Sequence, residues 1–432
     1  MTTSRRNFIQ QGLTFGALAY SLLREDALEL VEAANAQVEG RTPEGVAADE
    51  SYWFQIQQAF AIDRSMINLN NGGVSPAPRV VQDAVRRHVD YANQAPSRYM
   101  WKNLDPQVET SRARLAALFG CDPEEMAIVR NSSEALEICI YGVDLKAGDE
   151  VLTSAQDYPR MINTFKQREQ REGIVLKTFD LPMPCDDPAE IVAAFERNIT
   201  PRTRMVLCCH VINITGQIIP VRQIVALGRK HDIPVIVDGA HAFAHLVFNR
   251  DELDCDYYGT SLHKWLTAPL GTGFLYVRKR CIPKLWPLMA APEPQGDNIR
   301  KYEEIGTHPA ALKLAVSEAA AFHTGIGPER KQARMRYLCR RWADRLTQDP
   351  RVRLYAKLDP AHCCGVATFQ IDGVDPVKLC DHLLSKHRIF TVAIDGPGVK
   401  GIRVTPNVYT MIDEVDAFAT AVEDVLRRGL PA

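Results

Sequence analysis

Short apolar runs alternate with amphipathic stretches along most of this chain, and many of the runs end in polar residues. "MINLNNGGVSPAPRVVQDAVRRHVDYAN" predicts a short strand, a Gly/Pro turn and a helix. "SRARLAALFG" has apolar positions at helical spacing. "MAIVRNSSEALEICIYGVDL" reads as strand, polar turn and helix, and "EVLTSAQDYPRM" as a strand running into a loop. "GIVLKTFDL", "TRMVLCCHVINITG" and "IPVIVDGAHAF" are further strands, the last two ending in polar residues. "PVRQIVALGRKHD" is a helix opened by proline, where the missing N–H costs nothing.

Strands alternating with helices predict an α/β fold, with a mostly parallel sheet covered on both faces. Beyond residue 310, "AALKLAVSEAAAFHTGIG" begins a long helical connection, and "GVATFQIDGVDPVKLCDHLLSKHRIFTVAI" with "IRVTPN" reads as a smaller α+β domain. The expected organisation is a leader over 1–36, a linker over 37–60, a large domain over 61–320 and a small domain over 321–432.

Ligands of parallel sheets gather at the carboxyl ends of the strands. Asn131 to Ser133, Asp157 and Tyr158, Asn213, Asp238 to His241, and Ser261 to Lys264 all fall there. Asp238 closes an apolar run, and a carboxylate so placed needs a cationic or donor partner. A protonated pyridine nitrogen is one. Lys264 sits among Leu262, Trp265, Leu266 and a Gly-rich turn. A lysine there can form a Schiff base with a cofactor aldehyde, and burial would lower its pKa. Ser132 and Ser133 stand at a strand-to-helix turn suited to an anion, with Ser261 and His263 adding a hydroxyl and an imidazole. Taken singly, "NSSEAL" is a helix cap, Lys264 a snorkelling lysine and Asp238 a turn residue. Their joint order along one α/β chain favours pyridoxal phosphate.

"DGAHA" followed by "GTSLHKWLTAPLGTGFLYVRK" resembles the class V aminotransferases of pyridoxal phosphate fold type I, a group including isopenicillin N epimerase-like enzymes, cysteine desulfurases and kynureninases. The likeness runs from "INLNNGGVSPAP" to "IRVTPNVYT". It implies a seven-stranded-type sheet in the large domain. It makes Lys264 the Schiff-base lysine and Asp238 the partner of the pyridine nitrogen. His241 and Asn213 would meet the phenolic oxygen, Tyr158 would stack on the ring, and Ser132, Ser133, Ser261 and His263 would hold the phosphate. Thr307 in "EEIGTHPAAL" would reach the partner subunit's phosphate, implying a homodimer with shared active sites. Arg403 would clamp a substrate carboxylate, a task suited to a bidentate guanidinium. Asn71 and Tyr99 are expected in the pocket wall. Desulfurases of this family carry a nucleophilic cysteine shortly before that arginine, but "VAIDGPGVKGIR" has none, so sulfur transfer is disfavoured. Transamination, epimerisation and β-elimination stay open, as does a non-catalytic binding protein on the same fold.

The N-terminus adds a location. Arg5 and Arg6 precede an apolar run from Gly12 to Leu23, which is too short to span a bilayer of ~30 Å as a helix. A basic start, this run and the later Ala34-Asn35-Ala36 read as a secretion signal, and the S-R-R-x-F-I pattern over 4–9 resembles a twin-arginine signal, implying folded export to the periplasm. The alternative is a basic amphipathic helix on a cytosolic enzyme. Exported enzymes of this class act in maturing pyoverdine-type peptide siderophores, on a glutamate side group. That is the substrate class expected here.

Composition changes this picture little. Apolar residues are 46% and charged residues 24%, with a formal net charge of −2, so no nucleic-acid partner is expected. Most of the 11 cysteines lie in apolar segments and read as buried hydrophobes, without zinc-type spacing. Cys363 and Cys364 are the neighbouring pair to watch in an oxidising compartment. No G-x-G-x-x-G follows an early strand, which sets aside a dinucleotide-binding dehydrogenase.

Overall fold

A computed structural model describes residues 27–430. The paired arginines and the apolar run of the expected leader lie outside the described residues. A two-residue strand, β1 (Ile67–Asn68), precedes the main sheet. That sheet comprises β2 (Met126–Val129), β3 (Glu150–Ser154), β4 (Val175–Phe179), β5 (Thr203–Cys209), β6 (Val235–Asp238), β7 (Tyr257–Ser261) and β8 (Gly273–Val277). Its seven strands run in the order β2-β8-β7-β6-β5-β3-β4. β8 is antiparallel to both neighbours, and the other pairings are parallel.

The central strands are buried on both faces, so they read as apolar runs rather than alternations. Their side chains still divide by period two. Met205, Leu207 and Ile236 enter one core with Leu136, Phe165 and Leu275. Val206, Cys208, Val235 and Val237 enter the other with Phe119, Phe243 and Phe274. Helices such as Ser132–Gly142 and Val221–Lys230 supply the covering layers. The α/β architecture with a mostly parallel seven-stranded sheet is therefore as expected.

A second core forms around Trp342, Phe369 and Phe418. It lines a four-stranded antiparallel sheet of β9 (Val352–Leu354), β10 (Ala367–Ile371), β12 (Val392–Gly396) and β13 (Val399–Val404), ordered β12-β13-β10-β9. β11 (Ile389–Phe390) instead pairs with β1, in parallel. Leu69, just beyond β1, belongs to this second core. The chain thus touches the smaller domain before it enters the seven-stranded sheet of the larger one.

The N-terminal region is more structured than a leader and linker imply. Helix Ala27–Gln37 buries Ala27, Leu30, Val31 and Ala34. Residues 37–60, expected as a linker, form helices Pro43–Ala47 and Glu50–Gln58, which bury Val46, Tyr52, Trp53 and Ile56. Among the described residues no helix is long and apolar enough to cross a membrane.

Candidate active site

The strand ends converge on a cavity of about 530 Å³. Its wall includes Ser132, Ser133, Tyr158, Asn213, Asp238, His241, Ser261, His263, Lys264 and Arg403, all singled out from the sequence. Asn131 and Ala240, within the strand-end segments singled out from the sequence, also line it, and Gly72, Gly73, Val74, Arg160, Cys209 and Val211, which sequence reasoning did not assign to a pocket, complete it.

Asp238 ends β6 and is buried. The Ala240 N–H donates to its Oδ1 at 2.9 Å. Burial pushes its carboxyl up to about 6, while that N–H and nearby Lys264 pull it down. Gly239, which follows, must be glycine: a Cβ there would lie 1.9 Å from Tyr258 Cζ. This close approach fixes the turn that carries Asp238 and His241.

Lys264 lies in the polar turn between β7 and β8. Burial lowers its amine to about 8, against the attraction of Asp238, with Arg403 lowering it further. Its Nζ lies 3.1 Å from His241 Nε2. Burial holds His241 well below the usual histidine range, so at neutral pH its imidazole is neutral. His245 supports it from behind, with Nδ1 2.7 Å from the His241 carbonyl and its ring stacked 4.0 Å from the Trp265 indole.

Helix Ser132–Gly142 points its N-terminus at the same cavity. Asn131 caps it, accepting from the Glu134 N–H at 2.9 Å. The Ser132 N–H donates to Ser261 Oγ at 2.9 Å, and the Ser261 hydroxyl donates to Ser132 Oγ at 3.0 Å. Hydroxyls and a helix start together suit an anion. Asp157, buried, accepts from the Ser154 N–H at 3.0 Å and the Cys209 N–H at 3.0 Å. It ties the turn bearing Tyr158 to the end of β5.

Arg403 crosses from the small domain on β13. Its Nη1 donates to the Asn213 carbonyl and its Nη2 to Asn70 Oδ1, each at 3.0 Å. Burial lowers its guanidinium to about 10. Among the described residues it makes no ion pair, and its Nε has no partner. A buried cation without a counter-charge is expensive, and an anionic ligand supplies one.

Three residues lie outside this wall: Asn71 and Tyr99, expected in it, and Thr307, expected at the partner subunit's site. Asn71 is fully buried, and its amide donates to the carbonyls of Asn68 and Thr405, each at 3.0 Å. Its oxygen accepts from the Tyr409 hydroxyl, so nothing of it faces the cavity. Tyr99 stacks on Tyr91 at 4.7 Å and is likewise outside the wall. Thr307 is exposed and lines a separate recess of about 470 Å³ with Trp101, Arg300 and Glu303.

The cysteines do not form a reactive set. All are free, and Cys363 and Cys364 are buried. The Cys363 thiol donates to the Val366 carbonyl at 2.9 Å. Cys209 touches the cavity, but burial and the adjacent carboxylates hold its thiol well above the usual range. Among the described residues no group of acidic, His and Cys side chains could hold a metal.

A buried carboxylate, a lysine of lowered pKa and an anion-binding helix start define a pyridoxal phosphate enzyme of fold type I. The aminotransferase class-V family model matches residues 67–417, and the chain belongs to that family. It is 30% identical to the isopenicillin N epimerase of Amycolatopsis lactamdurans, over 86% of this chain and 98% of that protein. A cysteine desulfurase of Escherichia coli superposes with a TM-score of 0.75 at 21% identity, covering 86% of this chain and 98% of that one. A C-DES variant with glycine covalently linked to its pyridoxal phosphate superposes at 0.73 and 24% identity, covering 84% and 97%. The cofactor is pyridoxal phosphate. The cavity fits it: the helix start and serines match its phosphate, and Asp238 its ring nitrogen. Asn213 Oδ1, His241 Nδ1 and His263 Nδ1 are buried without partners, as polar atoms awaiting a polar ligand are.

Proposed function

We propose that this chain is a periplasmic enzyme, exported by the twin-arginine route, that modifies a glutamate side group during maturation of a pyoverdine-type peptide siderophore by transaminase-like chemistry. One observation carries the amino-acid part of this reading. Arg403, buried and free of any carboxylate, shares a cavity with Lys264 and Asp238. The paired arginines of the N-terminus support the export part.

Pyridoxal phosphate, when bound, supplies an electron sink for the charge left as a bond at the substrate α-carbon breaks. The chain's own residues do the rest. Arg403 binds the α-carboxylate and so turns the α-carbon toward Lys264. Lys264, with an amine near neutrality, takes and returns a proton at Nζ. Neutral His241 orients that amine. Asp238, as a carboxylate, would pair with the ring nitrogen and keep it protonated. Exposed Thr307 serves the partner's site in a homodimer.

A second reading, epimerisation, draws support from the 30% likeness to an isopenicillin N epimerase. Two measurements test these readings in order. Borohydride reduction with intact mass should fix the cofactor covalently to wild type and not to Lys264→Ala. Product analysis with a glutamate-bearing siderophore precursor and a 2-oxo acid as amino acceptor should then give the precursor's oxo acid and the aminated acceptor. An inverted amino acid instead would favour the epimerase. Unreacted precursor would sink the siderophore assignment.

A further inference from the structure

Two guanidinium groups line the active-site cavity, and among the described residues neither forms an ion pair. Arg403 is the buried one. The other is Arg160, near the start of helix Pro159–Glu172 and two residues past Tyr158. Arg160 is exposed. It also lines an outer recess of about 610 Å³, with Glu137, Tyr141, Tyr158 and Asn163. Tyr158 and Arg160 are common to both spaces, so Arg160 stands where the cavity opens outward.

Nearby arginines are differently placed. Arg130 holds Glu134 at 2.7 Å, and Arg168 is paired with Glu172. Glu137, the carboxylate of the outer recess, instead accepts from the Thr164 hydroxyl at 3.2 Å. Asp238 is the one carboxylate of the inner wall among the described residues, and the cofactor ring nitrogen claims it. Arg160 is thus a cation at the mouth of the cavity with no ion-pair partner among the described residues.

We propose that Arg160 receives a second carboxylate of the substrate, so that the site selects dicarboxylic amino acids. The α-carboxylate lies on Arg403 and the distal one on Arg160. This rests on the reading of Arg403 as the α-carboxylate anchor. A guanidinium accepts a carboxylate through two parallel hydrogen bonds, which a methyl group in the same place cannot make. All three groups of the acidic residue, its amine and both carboxylates, must then be free, so a glutamate joined to a larger molecule through its distal carboxyl would leave Arg160 unpaired.

The test uses cofactor-loaded protein and two unreactive acids without an amine, glutarate and pentanoate, with binding read by calorimetry. Wild type should bind glutarate about tenfold more tightly than pentanoate, the scale of one charge-assisted contact. Arg160→Met should bind the two acids equally and keep its cofactor absorbance. Arg403→Met should weaken both. Equal binding by wild type, or a preference that survives in Arg160→Met, overturns the role of Arg160. If Arg403→Met still weakens both acids in that case, the carboxylate anchor stands. If it weakens neither, the underlying reading has failed as well.

Discussion

The backbone N–H of Gly365 donates to His245 Nε2 at 2.8 Å, and this bond decides which way the His245 ring faces. With Nε2 accepting, the ring proton sits on Nδ1 and is donated to the His241 carbonyl. Burial holds His245 down at about 3, so this neutral tautomer persists across the working range. The relay joins the small domain to the residue that faces Lys264. His245→Phe keeps the stack on Trp265 but leaves two buried backbone groups unpaired. It should cost about 3 kcal/mol of stability, read by denaturant unfolding. Gly365→Ala should also destabilise, because its Cβ would lie 3.0 Å from both His245 Nε2 and Met335 Cβ, in a buried site where neither can move freely.

Cofactor uptake should follow the protonation of Lys264. Only the neutral amine attacks an aldehyde, and the amine titrates near 8 rather than at the ordinary lysine value of ~10.4. The uptake rate of cofactor-free protein, followed by absorbance, should climb with pH and be half-maximal close to 8. Asp238 raises the Lys264 value by attraction, so Asp238→Asn should move that midpoint lower. The linked effect on folding has a definite sign. Between about 8 and ~10.4 the unfolded chain holds the extra proton, so the Lys264 contribution to stability rises with pH across that window. A midpoint near 10 would mean the amine is solvated as in a free lysine.

Much of this site was legible because its residues end strands that are buried on both faces. Val235 to Val237 gives an unbroken apolar run, so the polar residues after it stand out. What stayed hidden depends on partners far along the chain. Asn71 looks like a pocket residue until Thr405 and Tyr409 are seen to satisfy it. The contact of Leu69 with the small domain follows a strand of two residues, too short to show any period. Arg160 carried no signal, since an arginine near a helix start is ordinarily solvated. Its meaning comes from the cavity behind it.

Arg403 should matter most to substrates that carry an α-carboxylate. Its two donors to Asn213 and Asn70 hold the guanidinium in one orientation. Lysine cannot reproduce that fork. Arg403→Lys should lower kcat/KM for the amino acid by roughly 30-fold, about 2 kcal/mol. It should leave turnover of the corresponding decarboxylated amine nearly unchanged. An equal loss on both substrates would make Arg403 a structural residue instead.

The proposed export signal carries a measurable consequence for folding, set by where it would be cleaved. Cleavage after Ala36 would remove nearly all of helix Ala27–Gln37, whose Leu30, Val31 and Ala34 are buried in the large core. It would also remove Asn35, which donates to the Gly325 carbonyl at 2.8 Å and accepts from the Tyr52 hydroxyl at 3.1 Å. Burial of Leu30 and Val31 alone contributes roughly 3 kcal/mol or more, before the cost of ordering the helix is set against it. A chain beginning at Ala27 should therefore melt at a higher temperature than one beginning at Gln37. If the chain is exported as proposed, N-terminal sequencing of the mature protein should find the helix retained, with cleavage before Ala27. A mature chain starting at Gln37 with an unchanged Tm would show that the helix is dispensable, and that Tyr52 and Trp53 are covered in some other way.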